Sequence, residues 1–569
     1  MYFPPLFSAW KHTLRAGYNA QRLRSDIIAG ITVGIIAIPL AMALSIAIGL
    51  PPQHGLYTVL VAGFLIALLG GSRLNVSGPT AAFVVILLPI TQQFGLAGLL
   101  ICTLMAGTIL IGMALLRAGS LLQFIPYPVT LGFTAGIGIV LATLQMKDAL
   151  GLNNIGPSSN FLEQVQQLVL ALPSIQLGDS LVAAITLTIL IAWPRFFPRI
   201  PGHLPALVIG TLLAITLKHF DWPVATLGER FSYFVEGVEY PGIPPFLPSF
   251  AWPWTLPGPS GEPLVLSFEL FRQLLAPAFA IAMLGAIESL LCAVVADGMA
   301  GTKHDSNGEL FAQGIGNLVA PLFGGITATA AIARSAANVR AGAYSPMAAM
   351  THALVVLLAM LFLAPLFSLL PMAALAALLL MVAWNMSEPK HVIHTLKIAP
   401  RNDVLVLLTC LILTVLFDMV LAVGVGLILA AGLFIKHISE TTDTRPSHAP
   451  HIKALQDLPD SICSYSIRGP LFFGAAEKAL SVLRQVQPSI KVVIIDMSAV
   501  PVLDMTAIAG LTKVLEDYRQ REIGVILVGT TSRLRLKMRR ANIRLSPKQL
   551  SYVRDFEQAR ARAENWLTA

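Results

Sequence analysis

The chain has 569 residues, of which 56% are hydrophobic and only 12% are charged. Its mean hydropathy is +0.75 and its formal net charge is +8. Because an average soluble domain carries about 25% charged residues, this composition excludes a large soluble enzyme and predicts a polytopic membrane protein.

Apolar runs predict fourteen membrane segments, several of them short. In chain order they cover residues 27–46, 57–70, 80–92, 96–116, 128–147, 180–197, 203–218, 276–298, 309–323, 330–338, 347–370, 372–386, 402–418 and 419–437. With the N-terminus in the cytoplasm, fourteen Lys and Arg residues of the connecting segments lie inside and four lie outside, as the positive-inside rule requires. The sequence therefore predicts a cytoplasmic segment over 1–26, a membrane domain over 27–438 and a cytoplasmic tail domain over 439–569.

The predicted segments repeat at an offset of about 250 residues, which is the mark of an internal repeat. Shifting the first segment by this offset gives the eighth, and the runs that begin near 80 and 96 match those that begin near 330 and 346. Seven segments in each half is an odd number, so the second half is expected to enter the membrane with inverted topology. A chance alignment of hydrophobic segments is the alternative.

Two related stretches begin the third and the tenth segments. Residues 76–83 are Val-Ser-Gly-Pro-Thr-Ala-Ala-Phe, and residues 327–335 are Thr-Ala-Thr-Ala-Ala-Ile-Ala-Arg-Ser. Each starts a hydrophobic segment of about a dozen residues, which is too short to cross a bilayer. A helix that begins inside the membrane presents free N–H groups and a positive dipole end, so the pair predicts an anion site.

Three side chains in these spans are candidates for chemistry. Pro39 interrupts the first span, where it either shapes the site or is an ordinary tolerated kink. Glu288, in the middle of the eighth span, either carries a proton or helps to bind a cation, the alternative being a structural hydrogen bond. Arg334 follows the second helix start by one turn, and it either supplies positive charge to the site or pairs with Glu288 or with backbone carbonyls.

The tail holds most of the excess charge. From residue 441 onward there are 19 Lys and Arg against 12 Asp and Glu, so +7 lies in the last 129 residues. This balance fits a cytoplasmic domain beside anionic lipid headgroups, and we expect no nucleic-acid partner. Predicted strands at 464–467, 492–496 and 525–528, with an amphipathic helix at 506–520, indicate a small α/β domain.

The sequence predicts neither a catalytic site nor a metal site. Its four cysteines, Cys102, Cys292, Cys410 and Cys463, lack the spacing of a metal site or a disulfide framework. It contains no phosphate-binding Gly-rich loop with Lys, no zinc spacing and no nucleophile elbow. We therefore expect no enzymatic activity and no cofactor, with a proton or sodium gradient rather than ATP as the energy source.

Four stretches resemble the SulP family of anion transporters, and the resemblance covers nearly the whole chain. They are residues 38–43 (Ile-Pro-Leu-Ala-Met-Ala) followed by 55–57 (Gly-Leu-Tyr), residues 78–82 (Gly-Pro-Thr-Ala-Ala) and residues 331–342 (Ala-Ile-Ala-Arg-Ser-Ala-Ala-Asn-Val-Arg-Ala-Gly). The resemblance implies an α-helical polytopic membrane protein with 14 segments in a seven-plus-seven inverted repeat, divided into core and gate subdomains, and a C-terminal α/β STAS domain. It also implies a homodimer and a cytoplasmic protein partner for the STAS domain.

The same resemblance implies an anion held between two half-helix starts, with the first span and Glu288 beside it. The expected substrate-binding residues are Pro39, Leu40, Leu44, Thr80, Ala81, Ala331, Ile332, Ala333 and Arg334. The expected ion-coupling residues are Glu288 and Ser289.

The chain departs from the family pattern in two places. Ala331 and Ala333 stand where many relatives have a hydroxyl, so backbone N–H groups must do more of the anion binding. Met505 stands where related anti-sigma factor antagonists have a phosphorylated serine, so regulation by phosphorylation is not expected at that position.

Three hypotheses about function follow. Residues 280–292 and 324–330 resemble dicarboxylate-carrying members of the family, which implies proton-coupled, elevator-like uptake of succinate, fumarate or aspartate across a bacterial inner membrane. The first alternative is a sulfate or bicarbonate transporter, coupled to sodium through Glu288. The second alternative is a membrane-bound regulator that senses an anion and acts through its tail.

Overall fold

The computed structural model describes residues 4–120, 126–153, 155–156, 160–197, 201–235, 237–259, 261–417, 419–446 and 458–568. The chain divides into two compact units, Met1–Leu427 and Ile428–Ala569. This division falls within the last apolar helix, whereas the sequence predicts the domain boundary at its end, at 438/439.

The first unit is almost entirely helical. The helices of its first half are α1 (Ser8–Arg15), α2 (Ala20–Ala47), α3 (Gln53–Thr58), α4 (Phe64–Leu69), α5 (Ala81–Leu115), α6 (Tyr127–Ala149), α7 (Phe161–Ala171), α8 (Leu177–Phe196), α9 (His203–His219) and α10 (Leu227–Arg230). Those that follow are α11 (Phe268–Ala300), α12 (Ser306–Val319), α13 (Ile332–Arg340), α14 (Met347–Phe367), α15 (Met372–Ser387), α16 (Pro389–Ile398), α17 (Arg401–Leu416) and α18 (Met419–Thr441), the last of which continues into the second unit.

Four short strands interrupt the helices. They are β1 (Ser77–Gly78), β2 (Ser232–Val235), β3 (Val238–Pro241) and β4 (Thr329–Ala330). β2 and β3 form a hairpin within the Pro-rich connection between α10 and α11.

Each of the fourteen predicted segments overlaps a helix, and eight of the described helices are long and apolar enough to cross a membrane. The third and fourth segments belong to the single element α5, which is broken at Gly95. The backbone of Gly95 has a φ of 67°, a left-handed value that glycine adopts without strain. The boundary that the sequence predicts between the third and fourth segments therefore coincides with the kink in α5.

The helix contacts show the seven-plus-seven repeat. The first segment of the first half, α2, packs on α14, the fourth segment of the second half. The symmetry-related pair is α11, the first segment of the second half, with the fourth segment of the first half, which lies in α5. These two helices also pack together, and the Cys102 sulfur lies 3.8 Å from the Leu274 carbonyl oxygen. Small residues allow these close approaches: a Cβ at Gly30 would lie 2.6 Å from the Thr351 side chain.

The helices fall into two groups. One contains α2 to α5 with α11 to α14, and the other contains α6, α8 and α9 with α15 and α17. Within the second group, the α6–α17 and α15–α8 pairs are again symmetry mates. This division matches the core and gate subdomains that the family resemblance implies.

The second unit contains a five-stranded sheet between two helical layers. Its strands are β5 (Asp443–Pro446), β6 (Ile462–Arg468), β7 (Val492–Ala499), β8 (Gly524–Val528) and β9 (Leu550–Val553), in that spatial order. Only β5 is antiparallel to its neighbour. The helices are α19 (Phe473–Leu483), α20 (Met505–Gln520), α21 (Ser532–Arg540) and α22 (Phe556–Thr568).

The sheet is buried on both faces, which explains why β7 and β8 are nearly continuous apolar runs. α19, α20 and α21 supply buried side chains to the core on one face, and α22 supplies them on the other. The three strands and the helix predicted in the tail are confirmed. β5, β9, α19, α21 and α22 are additional elements that the sequence analysis missed.

The contact between α2 and α3 provides a test of this packing. A Cβ at Gly55 would overlap the Ala41 carbonyl oxygen, which is backbone and cannot move aside. We expect Gly55→Ala to reduce stability by about 1–3 kcal/mol, since overpacking forces helices apart. Gly112→Ala is the matched control, because no atom lies within 4 Å of a Cβ at that helical position. Thermal unfolding in detergent should separate the variants, and equal melting temperatures would contradict the packing described.

Candidate functional site

Two short strands join the halves of the membrane unit at its centre. β1 pairs with β4 in antiparallel register, Ser77 opposite Ala330 and Gly78 opposite Thr329. The neighbouring irregular backbone is hydrogen-bonded on both sides: Ala331 N donates to Val76 O over 3.1 Å, and Val76 N donates to the Ser335 hydroxyl over 2.9 Å. Irregular backbone at membrane depth needs such partners, because the hydrocarbon supplies none.

Asn317 on α12 holds the backbone just before β4, the short strand that leads to α13. Its side chain donates to Ala328 O over 2.9 Å and accepts from Ala328 N over 2.8 Å. Thr329 donates its hydroxyl proton to Gly285 O on α11 over 3.0 Å. The segment that contains β4 is therefore attached to α11 and α12 by side-chain hydrogen bonds. These side chains do not cap the start of α13.

The predicted helix starts lie where the two crossing strands end. Thr80 is the N-cap residue of α5, and Ala331 is the N-cap residue of α13. Alanine has no side chain that can cap a helix, so the first N–H groups of α13 are open to a ligand. The two starts differ in exposure: Thr80 and Ala81 are buried, whereas Ile332 and Ala333 are exposed.

Glu288 lies beside the first helix start. The Thr80 hydroxyl donates to Glu288 Oε2 over 3.0 Å instead of capping its own helix. Glu288 is partly buried, and the Thr80 hydroxyl is its one described hydrogen-bond donor. A hydroxyl oxygen and a carboxylate at this spacing suit a bound cation or a transferable proton.

Arg334 follows the α13 start and is 5% exposed. Its Nη2 donates to Pro79 O over 2.7 Å, which ties the second half-helix to the residue before Thr80. A Cβ at Gly78 would lie 2.6 Å from Nη1, so glycine is needed there for the guanidinium to fit. Among the described residues Arg334 forms no salt bridge with Glu288. Of the three roles considered from sequence, the carbonyl contact is the one observed.

The first span contributes an apolar wall. Pro39 is buried within α2, which continues through it, and Leu40 is partly buried. Leu44 lines a narrow crevice that has no room for a water molecule, and its other lining residues are Ile48, Pro79, Thr80, Phe83, Val84, Leu87, Ile326 and Thr327. The crevice thus brings Leu44 to Thr80 and does not reach Ala331, Ile332 or Ala333.

Ser289 is placed differently from the expectation. Its side chain is fully buried and donates to Glu309 Oε1 over 3.2 Å, while it accepts from Gln313 Nε2 over 3.0 Å. Adjacent residues of a helix point about 100° apart, and here Glu288 meets Thr80 whereas Ser289 points into the network around Glu309. Ser289 belongs to a structural network, and Glu288 is the residue of this pair that borders the helix starts.

The acid at the centre of this network is Glu309, which sequence reasoning missed. It is 1% exposed and accepts from Gly71 N over 3.1 Å, Ser72 N over 3.0 Å and Asn75 Nδ2 over 2.8 Å. Glu309 is the first residue of its predicted span, and nothing in the local sequence distinguishes it from a charge at a membrane interface. Only tertiary packing shows that it is buried and satisfied.

The residues that the structure describes contain no group of three or more His, Cys, Asp or Glu side chains placed to hold a metal ion.

Paired helix starts inside a membrane unit, joined by crossing strands and bordered by a carboxylate, are an arrangement typical of a membrane transport protein. The Sulfate permease family model matches residues 23–410, and the STAS domain model matches residues 456–551. The chain belongs to the sulfate permease family; it is an anion transporter with a C-terminal STAS domain and not an enzyme.

Several known proteins are similar over nearly the whole chain. The putative sulfate transporter YvdB of Bacillus subtilis is 41% identical over 91% of this chain and 93% of its own length. The bicarbonate transporter BicA of Picosynechococcus is 29% identical over 92% and 91%.

Solved structures share the fold. The structure of SLC26A9 matches with a TM-score of 0.81 over 99% of this chain and 94% of its own, at 17% identity. The transmembrane domain of a cyanobacterial BicA matches with a TM-score of 0.60 over 73% of this chain and 99% of its own, at 29% identity. The helical membrane unit followed by a STAS domain is therefore confirmed.

The two acids Glu309 and Glu288 should respond differently to substitution. Glu309→Ala leaves four buried donors without this acceptor, at about 1–3 kcal/mol each, so we expect a large loss of folded protein. Glu288→Gln keeps an acceptor for Thr80 and should retain the wild-type melting temperature. Size-exclusion profiles and thermal unfolding in detergent measure both effects. A Glu309→Ala protein as stable as the wild type would show that the network is not structural.

Proposed function

We propose that the protein is a secondary transporter of sulfate, bound between the starts of α5 and α13. The observation that carries the proposal is the pairing of β1 with β4, which sets the two helix starts beside each other. An oxyanion is well bound by backbone N–H groups at helix N-termini, which offer direction and partial positive charge. The alanines at the α13 start make this backbone contribution the main one.

Bicarbonate is the second candidate. Sulfate is supported by the likeness to YvdB at 41% identity, and bicarbonate by the likeness to BicA in both sequence and membrane-domain structure. Both are small oxyanions that fit one pair of helix starts. Net charge separates them, because sulfate carries two negative charges and bicarbonate carries one.

Four-carbon dicarboxylates are less well supported. The resemblance to the bacterial dicarboxylic acid transporter DauA predicts succinate, fumarate or aspartate, whereas the relatives described above are named for sulfate and bicarbonate. A dicarboxylate needs donors for two separated carboxylates. Arg334, the buried cation nearest the site, is already bound to the Pro79 carbonyl.

Glu288 is proposed as the coupling residue. Its contact with Thr80 links the occupancy of a cation, either a proton or sodium, to the helix start that binds the anion. Protonation or sodium binding at Glu288 removes a negative charge next to the incoming anion, which favours binding of both together. This coupling is reciprocal by thermodynamic linkage.

The proposed movement is elevator-like. The residues proposed to bind the anion and the coupling ion lie on α2, α5, α11 and α13, which belong to one of the two helical groups. That group is proposed to carry the site past the other, in a homodimer in a bacterial inner membrane with both termini cytoplasmic. The rival hypothesis, an anion-sensing regulator acting through the tail, predicts binding without flux.

Uptake into proteoliposomes tests the substrate. We expect labelled sulfate to accumulate under an inward proton or sodium gradient and unlabelled sulfate to compete. If labelled bicarbonate accumulates and labelled sulfate does not, the second candidate replaces the first. Accumulation of labelled succinate or fumarate alone would restore the dicarboxylate hypothesis, and absence of flux for every one of these labelled anions would favour the regulator.

Replacing Glu288 tests the coupling. We expect Glu288→Gln to lower gradient-driven uptake at least about tenfold, because each tenfold loss corresponds to only 1.4 kcal/mol of lost coupling. Counterflow exchange of the anion, which needs no ion gradient, should survive. The control is Ser289→Ala, which is expected to lower stability and leave the ion dependence unchanged. Full gradient-driven uptake by Glu288→Gln would overturn the role assigned to this carboxylate.

A further inference from the structure

The excess charge of the STAS domain is concentrated in one segment. Residues 532–548 contain seven Lys and Arg residues and no Asp or Glu, and the rest of the last 129 residues holds twelve of each sign. The whole imbalance of the tail therefore comes from α21 and the loop that follows it. A solvated domain surface without a partner usually mixes both signs.

α21 presents this charge outward. Leu534 and Met538 are buried in the domain core, so the opposite face of the helix points away from the sheet. Helical geometry places Arg533, Leu536 and Arg540 on that outer face. The leucine is 50% exposed, which leaves an apolar side chain between two cations.

The loop after α21 extends the same pattern. Arg544 and Lys548 are exposed, and Leu545 between them is 65% exposed. Together with the exposed Arg539 they complete a surface of five cations and two leucines. We call this the α21 surface; it consists of Arg533, Leu536, Arg539, Arg540, Arg544, Leu545 and Lys548.

The cations of the α21 surface have no carboxylate partner among the described residues. The other two basic residues of the segment are occupied: Arg535 Nε donates to the Thr530 hydroxyl over 2.8 Å, and Lys537 Nζ donates to Leu503 O over 2.8 Å. The salt bridges of the domain lie elsewhere, on α20 and α22. Five exposed cations are therefore available to an external anionic partner.

The chain itself limits how far this surface can be from a membrane. α18 is apolar enough to cross a bilayer and ends at Thr441, and β5 begins at Asp443. One residue extends a chain by at most about 3.6 Å, so the sheet starts almost where the apolar helix stops. A bilayer is thus the anionic surface always within reach of the domain.

We propose that the α21 surface binds anionic phospholipid headgroups of the membrane in which the chain is embedded. The cations are attracted to the negative leaflet, and Leu536 and Leu545 insert at the level of the headgroups, as on an amphipathic interfacial helix. This binding does not depend on which anion is transported.

Fluorescent labels on the full chain in nanodiscs test the proposal. A label at Leu545→Cys reports the α21 surface, and one at the exposed Ala561→Cys reports α22 on the other side of the sheet. Burial raises the pKa of the Cys463 thiol to about 12, so it stays unreactive at neutral pH, and the other three cysteines are buried.

In nanodiscs with phosphatidylglycerol, we expect blue-shifted emission and quenching by spin-labelled lipid at position 545 and neither at 561. Both effects should be absent in pure phosphatidylcholine and should be lost at high salt. Because each cation near an anionic surface strengthens binding about fivefold, R533E/R539E/R540E should weaken it at least about 100-fold. The matched control, K478E/R484E/K491E, changes three exposed cations elsewhere and should keep the response.

Two results would overturn the proposal. One is an equal response in neutral and anionic nanodiscs, or a response that survives R533E/R539E/R540E. The other is a response at position 545 to a DNA oligonucleotide in neutral nanodiscs with none to anionic lipid, which would identify a nucleic-acid surface. If the charge-reversed protein is not monodisperse, the neutral variant R533Q/R539Q/R540Q makes the same comparison.

Discussion

The membrane unit depends on one constraint: the backbone breaks inside it must find hydrogen-bond partners within the protein. Two helices begin near the centre of the unit, and each is preceded by extended chain that would be costly in hydrocarbon. The two extended segments satisfy one another through β1 and β4, and Asn317 and Ser335 satisfy the remaining groups. Neither Thr80 nor Ala331 caps the helix that it begins, and an anion is proposed to bind between these two starts.

Two acids one helical segment apart show how the same residue type serves different purposes. Glu309 accepts hydrogen bonds from four donors, three of which lie in the loop before β1, so it stabilises that loop. Glu288 has one donor from Thr80 and keeps partial exposure. A carboxylate that binds and releases a cation needs oxygen lone pairs that are not already hydrogen-bonded. One whose oxygens are fully hydrogen-bonded gains little from binding another partner.

The STAS domain shows a separate use of charge. Its sheet is buried on both faces, so solubility and contacts depend on the outer faces of its helices. Acidic and basic residues balance over most of that exterior, and the α21 surface alone departs from balance. The domain therefore combines a sequence of balanced charge with one cationic segment at α21 and the loop after it.

The sequence by itself determined the architecture. Hydrophobic length, the offset between halves and the small-residue starts predict all fourteen segments, the inverted repeat, the α/β tail and the pair of helix starts, because these follow from local pattern. It did not separate Glu288 from Ser289, and it missed Glu309 and the bond from Arg334 to Pro79. Only the tertiary structure decided these roles, because which side chain meets which depends on helix rotation and on the β1–β4 crossing between residues about 250 positions apart.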